Sequence, residues 1–550
     1  MSGPHRPPRH LWMMLLVPLV ASAWTRDWWA PDEPRYAQVA REIYTSGEFL
    51  VMHLCGAIYR SKPPLLFWIS GALGSLTDWS ELAMRLPSLV STLVSAWLAA
   101  RLARRFWGED EAQLAPVFYL TTAMVVWHGA RMQIDPLLGA LCFASLVIAS
   151  EPCKDSKQRG RNLLAAGLLS GLGVLAKGPI ALVLIAVPLL GWRWIQGAQP
   201  VRASRAFRLL AVLAALAPGL CWALAVIARR PELAYDLFLG QFFERAVKGT
   251  NHVNPFWYHF AYQPLLLLPW SVPVLGGSWL GWRALRARWQ GLAFDPGVAQ
   301  CGLWFWCLMV LFSLSPEKRD LYLLPAYPAA ALLAARWTLQ SVRNRQVSRA
   351  WNSIVPMLLM LVGVALCCAR LFESRLPAEF AGLTWQPFAI GLPLALAALL
   401  ALRSVWRAEL MRATLALASG LAVSATLAAL VFFPMVNPLK SARSLSARLA
   451  ARPEQPSVIP VVGVMPEGYR FYSGRPVVQG PILDRSLPDP VGNQQREFLE
   501  IARREGAAFL ALVERKNWQL WSEATRGQFD VRLEQEVGTR RIFVLGPKLK

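Results

Sequence analysis

The stretch LWMMLLVPLVASAWTRDWWAPDEPRY, Leu11 to Tyr36, sets the architecture. Its first half is an apolar run near the length a helix needs to cross a bilayer. Its second half turns at once to Arg26 and Asp27, two tryptophans, and then Pro31-Asp32-Glu33-Pro34-Arg35-Tyr36. A run that ends in indoles and charge reads as a helix reaching the headgroup level. Similar apolar stretches recur to about residue 433. They predict spans near 11–26, 82–101, 112–129, 133–150, 162–176, 178–195, 208–228, 258–282, 298–314, 321–336, 350–370, 385–402 and 411–433, about thirteen helices in all. Met1–Ala23 has the look of a signal peptide, but with so many later spans a retained first helix is expected.

Composition agrees. The chain has 550 residues, 55% of them hydrophobic, and a soluble fold of that content could not hide its apolar surface. The 25 Trp suit a protein with many headgroup-level contacts. The formal net charge is +23, and most of the excess falls in alternate loops. One set holds Arg101, Arg104 and Arg105; Lys154, Lys157, Arg159 and Arg161; Arg193, Arg202, Arg205 and Arg208; Arg283, Arg286 and Arg288; Arg336, Arg343, Arg345 and Arg349; and Arg403, Arg407 and Arg412. By the positive-inside rule these loops and the N-terminus are cytoplasmic, and an odd helix count puts the C-terminal region outside. No long soluble basic module is present for nucleic acid. The eight Cys mostly lie in apolar runs, with no C-x-x-C, and read as buried thiols, not a disulfide frame or zinc knuckle.

The opposite loops carry mixed charge, aromatics and proline, and two are long: about 27–81 and 229–257. Long outer loops on a helix bundle usually build the site. Within the first, Ala37–Tyr44 and Leu65–Leu76 read as helices lying in the interface. From about Pro434 the texture changes. Ser457–Val464, Phe509–Val513 and Arg541–Leu545 read as strands, and Ser441–Ala451 and Asn493–Arg504 as helices. The expected organisation is a polytopic α-helical membrane part, 1–433, and a periplasmic α/β domain, 434–550.

The chemistry concentrates in the outer loops. Asp32 and Glu33 follow a span and precede an interfacial helix. One reading is a helix cap; the other is a catalytic carboxylate pair at the membrane face. Further along, Tyr59-Arg60-Ser61-Lys62-Pro63-Pro64 sets a lysine before two prolines and an apolar run. It is either a snorkelling Lys or a phosphate-binding ammonium beside a lipid groove.

Together, Pro31-Asp32-Glu33-x-Arg35-Tyr36 and Tyr59-x-x-Lys62-Pro63-Pro64 resemble the lipid A 4-amino-4-deoxy-L-arabinose transferases, GT-C glycosyltransferases related to the protein O-mannosyltransferases. Pro34 stands where many relatives carry Thr or Ser. The resemblance implies a GT-C fold and an inverting transfer of aminoarabinose from undecaprenyl phosphate to a lipid A phosphate at the periplasmic face of a bacterial inner membrane. It implies Asp32, Glu33 and Asp135 as catalytic carboxylates. It implies Arg35, Tyr36, Tyr59, Lys62, Lys177, Arg245, Lys318 and Tyr322 as substrate contacts. Asp135-Pro136 also reads as a helix start, Lys177 as a headgroup anchor, and Ser315–Tyr322 as a solvated turn. No metal-ligand spacing stands out, so no cofactor is required, although a divalent ion remains open; His252 reads as a polar contact rather than a ligand. The expected partners are the undecaprenyl-phosphate-linked donor, lipid A and membrane lipids, with the chain a monomer. Two other readings stand beside this one: a transferase with a protein hydroxyl acceptor, and a transporter. The gathering of ionisable residues in outer loops disfavours the transporter.

Overall fold

A computed structural model describes residues 9–197, 201–236, 253–345, 348–375, 385–537 and 540–548, with side chains of 9–14 and 373–375 excepted. Apolar runs in lipid must satisfy their backbone internally, and they do so as helices. The chain is membrane-spanning: among the described residues six helices are long and apolar enough to cross, namely Glu81–Phe106, Arg205–Arg229, Pro296–Leu314, Arg349–Cys367, Gln386–Trp406 and Leu410–Lys440. Every span expected from sequence falls on a helix or on a broken pair of helices.

In order, α1 is Arg9–Thr25, α2 Asp32–Ser46, α3 Leu65–Ser75, α4 Glu81–Phe106, α5 Glu109–Leu120, α6 Ala123–His128, α7 Ile134–Ala149, α8 Ser156–Lys177, α9 Ile180–Gln196 and α10 Arg205–Arg229. Then come α11 Tyr258–Leu266, α12 Ser271–Trp289, α13 Pro296–Leu314, α14 Tyr327–Arg343, α15 Arg349–Cys367, α16 Gln386–Trp406 and α17 Leu410–Leu427. Close approach between helices uses small residues. A Cβ at Gly167 of α8 would sit 2.2 Å from the Ala211 carbonyl oxygen of α10, and one at Gly171 2.4 Å from that of Ala214. The outward face of α10 stays open, with Leu209, Leu213 and Leu224 exposed as lipid contacts require.

Three expected spans are not single helices. The run 112–129 breaks at Thr121 and Thr122, whose hydroxyls donate to the Val117 and Phe118 carbonyls four residues back. The run 258–282 breaks between α11 and α12, at Leu267–Trp270. The two breaks mate: Ala123 N donates to Leu268 O at 2.8 Å, and Trp270 Nε1 to Thr121 Oγ1 at 2.9 Å. Each kink thus supplies partners for groups the other frees. The run 321–336 begins as a 3-10 helix, Asp320–Ala326, before α14, because Pro325 and Pro328 remove two backbone donors.

The two interfacial segments are helices, α2 and α3. Between them lies a small hairpin, β1 (His53–Leu54) and β2 (Ala57–Ile58), turned at Cys55 and Gly56 with φ of 53° and 86°. Positive φ at both positions is the demand of a tight two-residue hairpin. Glu42 of α2 holds the turn by accepting from Cys55 N at 2.8 Å and Gly56 N at 3.3 Å.

After α17 the chain passes through a π-helical turn, Ala428–Phe432, into α18 (Phe433–Lys440) and α19 (Arg443–Ala450). Then follow β3 (Ile459–Val462), α20 (Glu467–Ser473), β4 (Val477–Gln479), α21 (Pro490–Glu505), β5 (Ala511–Glu514), α22 (Arg515–Leu520), β6 (Phe529–Val537) and β7 (Arg540–Pro547). The strands form one sheet in the order β4-β3-β5-β7-β6. β3 runs parallel to β4 and β5; β7 is antiparallel to β5 and β6. Both faces are covered, as the period of two along a strand allows. Val461, Leu512 and Val544 pack with Leu445 and Tyr469 on one side. Val462, Val513 and Phe543 pack with Phe498 and Trp521 on the other. All eight cysteines are free, three of them buried: Cys55, Cys142 and Cys301.

Candidate active site

The site grows from the joint between α1 and α2. Asp32 is the first residue of α2, after Pro31 at the cap position, and no side chain caps this helix. The capping role expected as one reading of Asp32 is therefore absent. Its carboxylate instead accepts from Arg319 Nη2 at 2.5 Å. Burial works against the Arg319 charge, but the hydrogen bond and field of Asp32 raise its pKa above the ordinary arginine value.

Glu33 faces the other way. Its side chain has 0% exposure, and Oε1 accepts from Arg85 Nε at 2.9 Å and Met132 N at 3.0 Å. Oε2 lies 3.4 Å from Arg26 and 3.5 Å from Arg131. Burial alone would raise its pKa, yet the three guanidinium groups hold it well below the usual carboxylate range. Glu33 was expected to share the chemistry with Asp32; its oxygens are turned to arginines inside the fold, the place of a group that fixes the joint.

A second carboxylate comes from α7. Asp135 lies in its first turn and pairs with Lys177 at the end of α8. The Lys177 ammonium also sits 4.4 Å from the centroid of the Tyr322 ring. It is thus tied to protein groups instead of anchoring in the headgroups. Tyr36 is buried in α2, four residues after Asp32. Burial first, then the fields of Asp32, Tyr59 and Asp135, push its pKa well up, while Arg319 acts against them. It remains a protonated donor at any physiological pH. Tyr36 and Tyr59 sit together in a packed cluster. Tyr322 N donates to Arg319 O at 3.2 Å, so Asp32, Arg319, Asp135, Lys177 and Tyr322 form one constellation at one end of the bundle. Beside it His128 Nε2 lies 3.5 Å from Asp320 Oδ2. Burial opposes the Asp320 charge, but the hydrogen bond and field of His128, with Arg319, bring its pKa down to about 2.

Other expected residues fall elsewhere. Arg35 points to the C-terminal sheet region, donating to Glu467 Oε1 at 3.0 Å. Lys318 is buried, and its ammonium donates to the backbone carbonyls of Asn254 at 2.8 Å and Ser315 at 2.5 Å. It fixes the turn from which the neighbouring Arg319 reaches Asp32. Lys62 follows the hairpin and shares a small cavity with Tyr59 and with Trp222 of α10. Arg245 lies outside the described residues, as does His252. Sequence reasoning missed Arg319, Arg26, Arg85 and Arg131. Arg85 carried a signal, since an arginine inside an apolar span demands a partner.

The fold is one already seen in solved structures. It superposes on the crystal structure of ArnT from Cupriavidus metallidurans bound to undecaprenyl phosphate with a TM-score of 0.74, covering 98% of each chain at 19% identity. The apo form gives 0.75 over the same coverage at 20% identity. In sequence, residues 61–222 match the family described as dolichyl-phosphate-mannose-protein mannosyltransferase. The chain is also similar to proteins called undecaprenyl phosphate-alpha-4-amino-4-deoxy-L-arabinose arabinosyl transferase. That of Edwardsiella ictaluri is 29% identical over 61% of this chain and 60% of the relative. That of Pseudomonas aeruginosa strain LESB58 is 32% identical over 61% and 60%. The chain thus spans about 60% of the length of the curated relatives it matches.

Proposed function

We propose that this chain is an inverting glycosyltransferase that moves 4-amino-4-deoxy-L-arabinose from undecaprenyl phosphate to a lipid A phosphate. The observation that carries the reading is the pair of cation-held carboxylates, Asp32–Arg319 and Asp135–Lys177, joined through the turn Arg319–Tyr322, with the Tyr322 ring centroid 4.4 Å from the Lys177 ammonium. The names of its sequence relatives point to the same donor and sugar. The loops of this end face the periplasm of a bacterial inner membrane, opposite the basic loops. The membrane part ends near residue 433, and 434–550 stands beside the site as a periplasmic α/β domain.

The donor leaves as a polyprenyl phosphate, so positive charge must meet it. Arg319 and Lys177 supply it, with Lys62 at the entrance, in a setting where preorganised charge acts strongly. A lipid A phosphate is already an anionic nucleophile and needs no strong base. Asp32 and Asp135 are then free for a different role. They take the ammonium of the aminosugar as Arg319 and Lys177 turn to the donor phosphate. One exchange of ion pairs thus admits the substrate without burying an unpaired charge, whose cost would be several kcal/mol. Direct attack by the acceptor phosphate inverts the anomeric centre.

The deciding experiment gives purified protein a defined undecaprenyl-phosphate aminoarabinose and lipid A, and follows the lipid by mass spectrometry. Addition of one aminoarabinose to lipid A is the expected product. Transfer to protein hydroxyls alone, with lipid A untouched, would replace this reading with the O-mannosyltransferase type.

A further inference from the structure

A cavity of about 620 Å³ lies far from the site, between α12, α14 and the start of α15. On α12 it is lined by Val272, Leu275, Gly276, Trp279, Leu280 and Arg283, spaced as one helical face. On α14 Trp337, Gln340 and Ser341, with Asn344 at its C-cap, form the facing stripe. Gly276 shapes the seam, since a Cβ there would meet the Trp337 ring at 2.3 Å.

The lining is graded. From Val272 to Arg283 the helix rises about 16 Å. The wall is aliphatic at one end and carries tryptophan further along. At the other end it offers the guanidinium of Arg283, the amides of Gln340 and Asn344, and the hydroxyls of Ser341 and Ser348. Among the described residues no Asp or Glu lines it. Arg343, one turn away, is neutralised by Asp110 at 3.0 Å and Glu111 at 2.9 Å. Arg283 has no carboxylate partner among the described residues. Leu275 and Trp279 also border a second groove of about 820 Å³, which is apolar, on the α13 side of α12.

We infer that this cavity is a binding site for one anionic glycerophospholipid, its phosphodiester held by Arg283 and its acyl chains running over Leu275 and Trp279. Three features name the occupant. The positive end lies among the basic loops, which face the anionic leaflet. Trp279 and Trp351 are exposed at the level where indoles meet headgroups. The apolar wall divides into two grooves, suited to a lipid with two chains and unlike the single chain of a polyprenyl donor. The site is independent of the transfer chemistry, and its test does not require turnover.

Native mass spectrometry of the full chain, offered equimolar phosphatidylglycerol and phosphatidylethanolamine, reads the preference directly. Phosphatidylglycerol adducts should exceed the zwitterionic lipid by about fivefold, the scale of one basic residue near an anionic headgroup. Arg283→Gln should bring the ratio near unity, and Arg283→Lys should keep most of it. Arg286→Gln, on the same helix but outside the cavity, should leave it unchanged. Asn344→Leu, which removes an amide from the polar end without touching charge, should weaken phosphatidylglycerol retention. Equal retention of the two lipids by the unaltered protein overturns the proposal. So does an Arg286→Gln effect as large as that of Arg283→Gln, which would mean surface charge alone.

Discussion

Replacing Glu33 by Gln removes one negative charge and little volume, and the structure says what that leaves. Arg26, Arg85 and Arg131 all direct guanidinium groups at this carboxylate, which has no exposed surface. Glu81, 3.6 Å from Arg85, is the other nearby acid, and it is shared with Arg443. The variant therefore confines three positive groups around a neutral amide. Stripping one partner from a buried ion pair costs about 3–5 kcal/mol. Gln still accepts a hydrogen bond from Arg85 or Met132 N, so the lower end, about 3 kcal/mol, is expected. In a chain of this length that corresponds to a fall of roughly 3 °C in melting temperature. Purified protein in detergent, melted at pH 7 with tryptophan fluorescence as the readout, measures it. A second axis is pH. The folded pKa of Glu33 lies below its unfolded value of about 4.3. Its contribution is thus complete above about pH 5 and declines as pH falls through and below the unfolded value, so the gap to Glu33→Gln should narrow in acid. Adding Arg85→Gln should recover part of the loss. A variant that melts like the unaltered protein at pH 7 and fails only in turnover would refute the scaffolding role and return Glu33 to the chemistry.

Other outcomes follow from the same geometry. Asp32→Asn should purify and melt normally but lose about 100-fold or more in rate, the scale of a lost acid–base or positioning group; near-normal lipid A modification in cells would count against the assignment. Lys177→Met should cut the rate at least about tenfold and raise the KM for donor. Double substitution with Asp135→Asn should cost less than the sum, because the two groups are partners; additive losses would separate them. Arg35→Gln should leave turnover within about threefold while exposing the 434–550 region to protease, since its visible partner is Glu467; protease resistance matching the unaltered protein would refute that.

Much of this arrangement is legible in the residues because its signals are local. The spans, the strands around Val461, Leu512 and Val544, and the helix at Asn493–Arg504 follow from periodicity within one segment. Asp32, Asp135 and Lys177 stood out because each is a charge at the end of an apolar run. Arg319 did not, because its partner is 287 residues away and its own neighbourhood is a dense charged turn that reads as solvated. Adjacent Asp32 and Glu33 looked equivalent for the same reason: which side a residue faces depends on what the fold brings to it. The kinks at Thr121 and Leu268 were hidden too, since each is stable only by virtue of the other.

The bonds that tie the first outer segment to the end of the chain have a consequence for how the protein is made. Asp27 N donates to Asn437 Oδ1 across 410 residues, and Trp28 N to the Tyr472 hydroxyl across 444. Arg35 waits in the same way for Glu467. At translation speeds of about 5–20 residues per second, Asp32 leaves the ribosome roughly 20–90 s before those partners exist. Until then the loop that carries it is held by earlier partners, Arg85 and Arg131 on Glu33 and Arg319 on Asp32. A nascent or truncated chain ending before Glu467 would hold its acidic loop without the ties to Glu467 and Tyr472, so the last bonds on that loop form only near the end of synthesis.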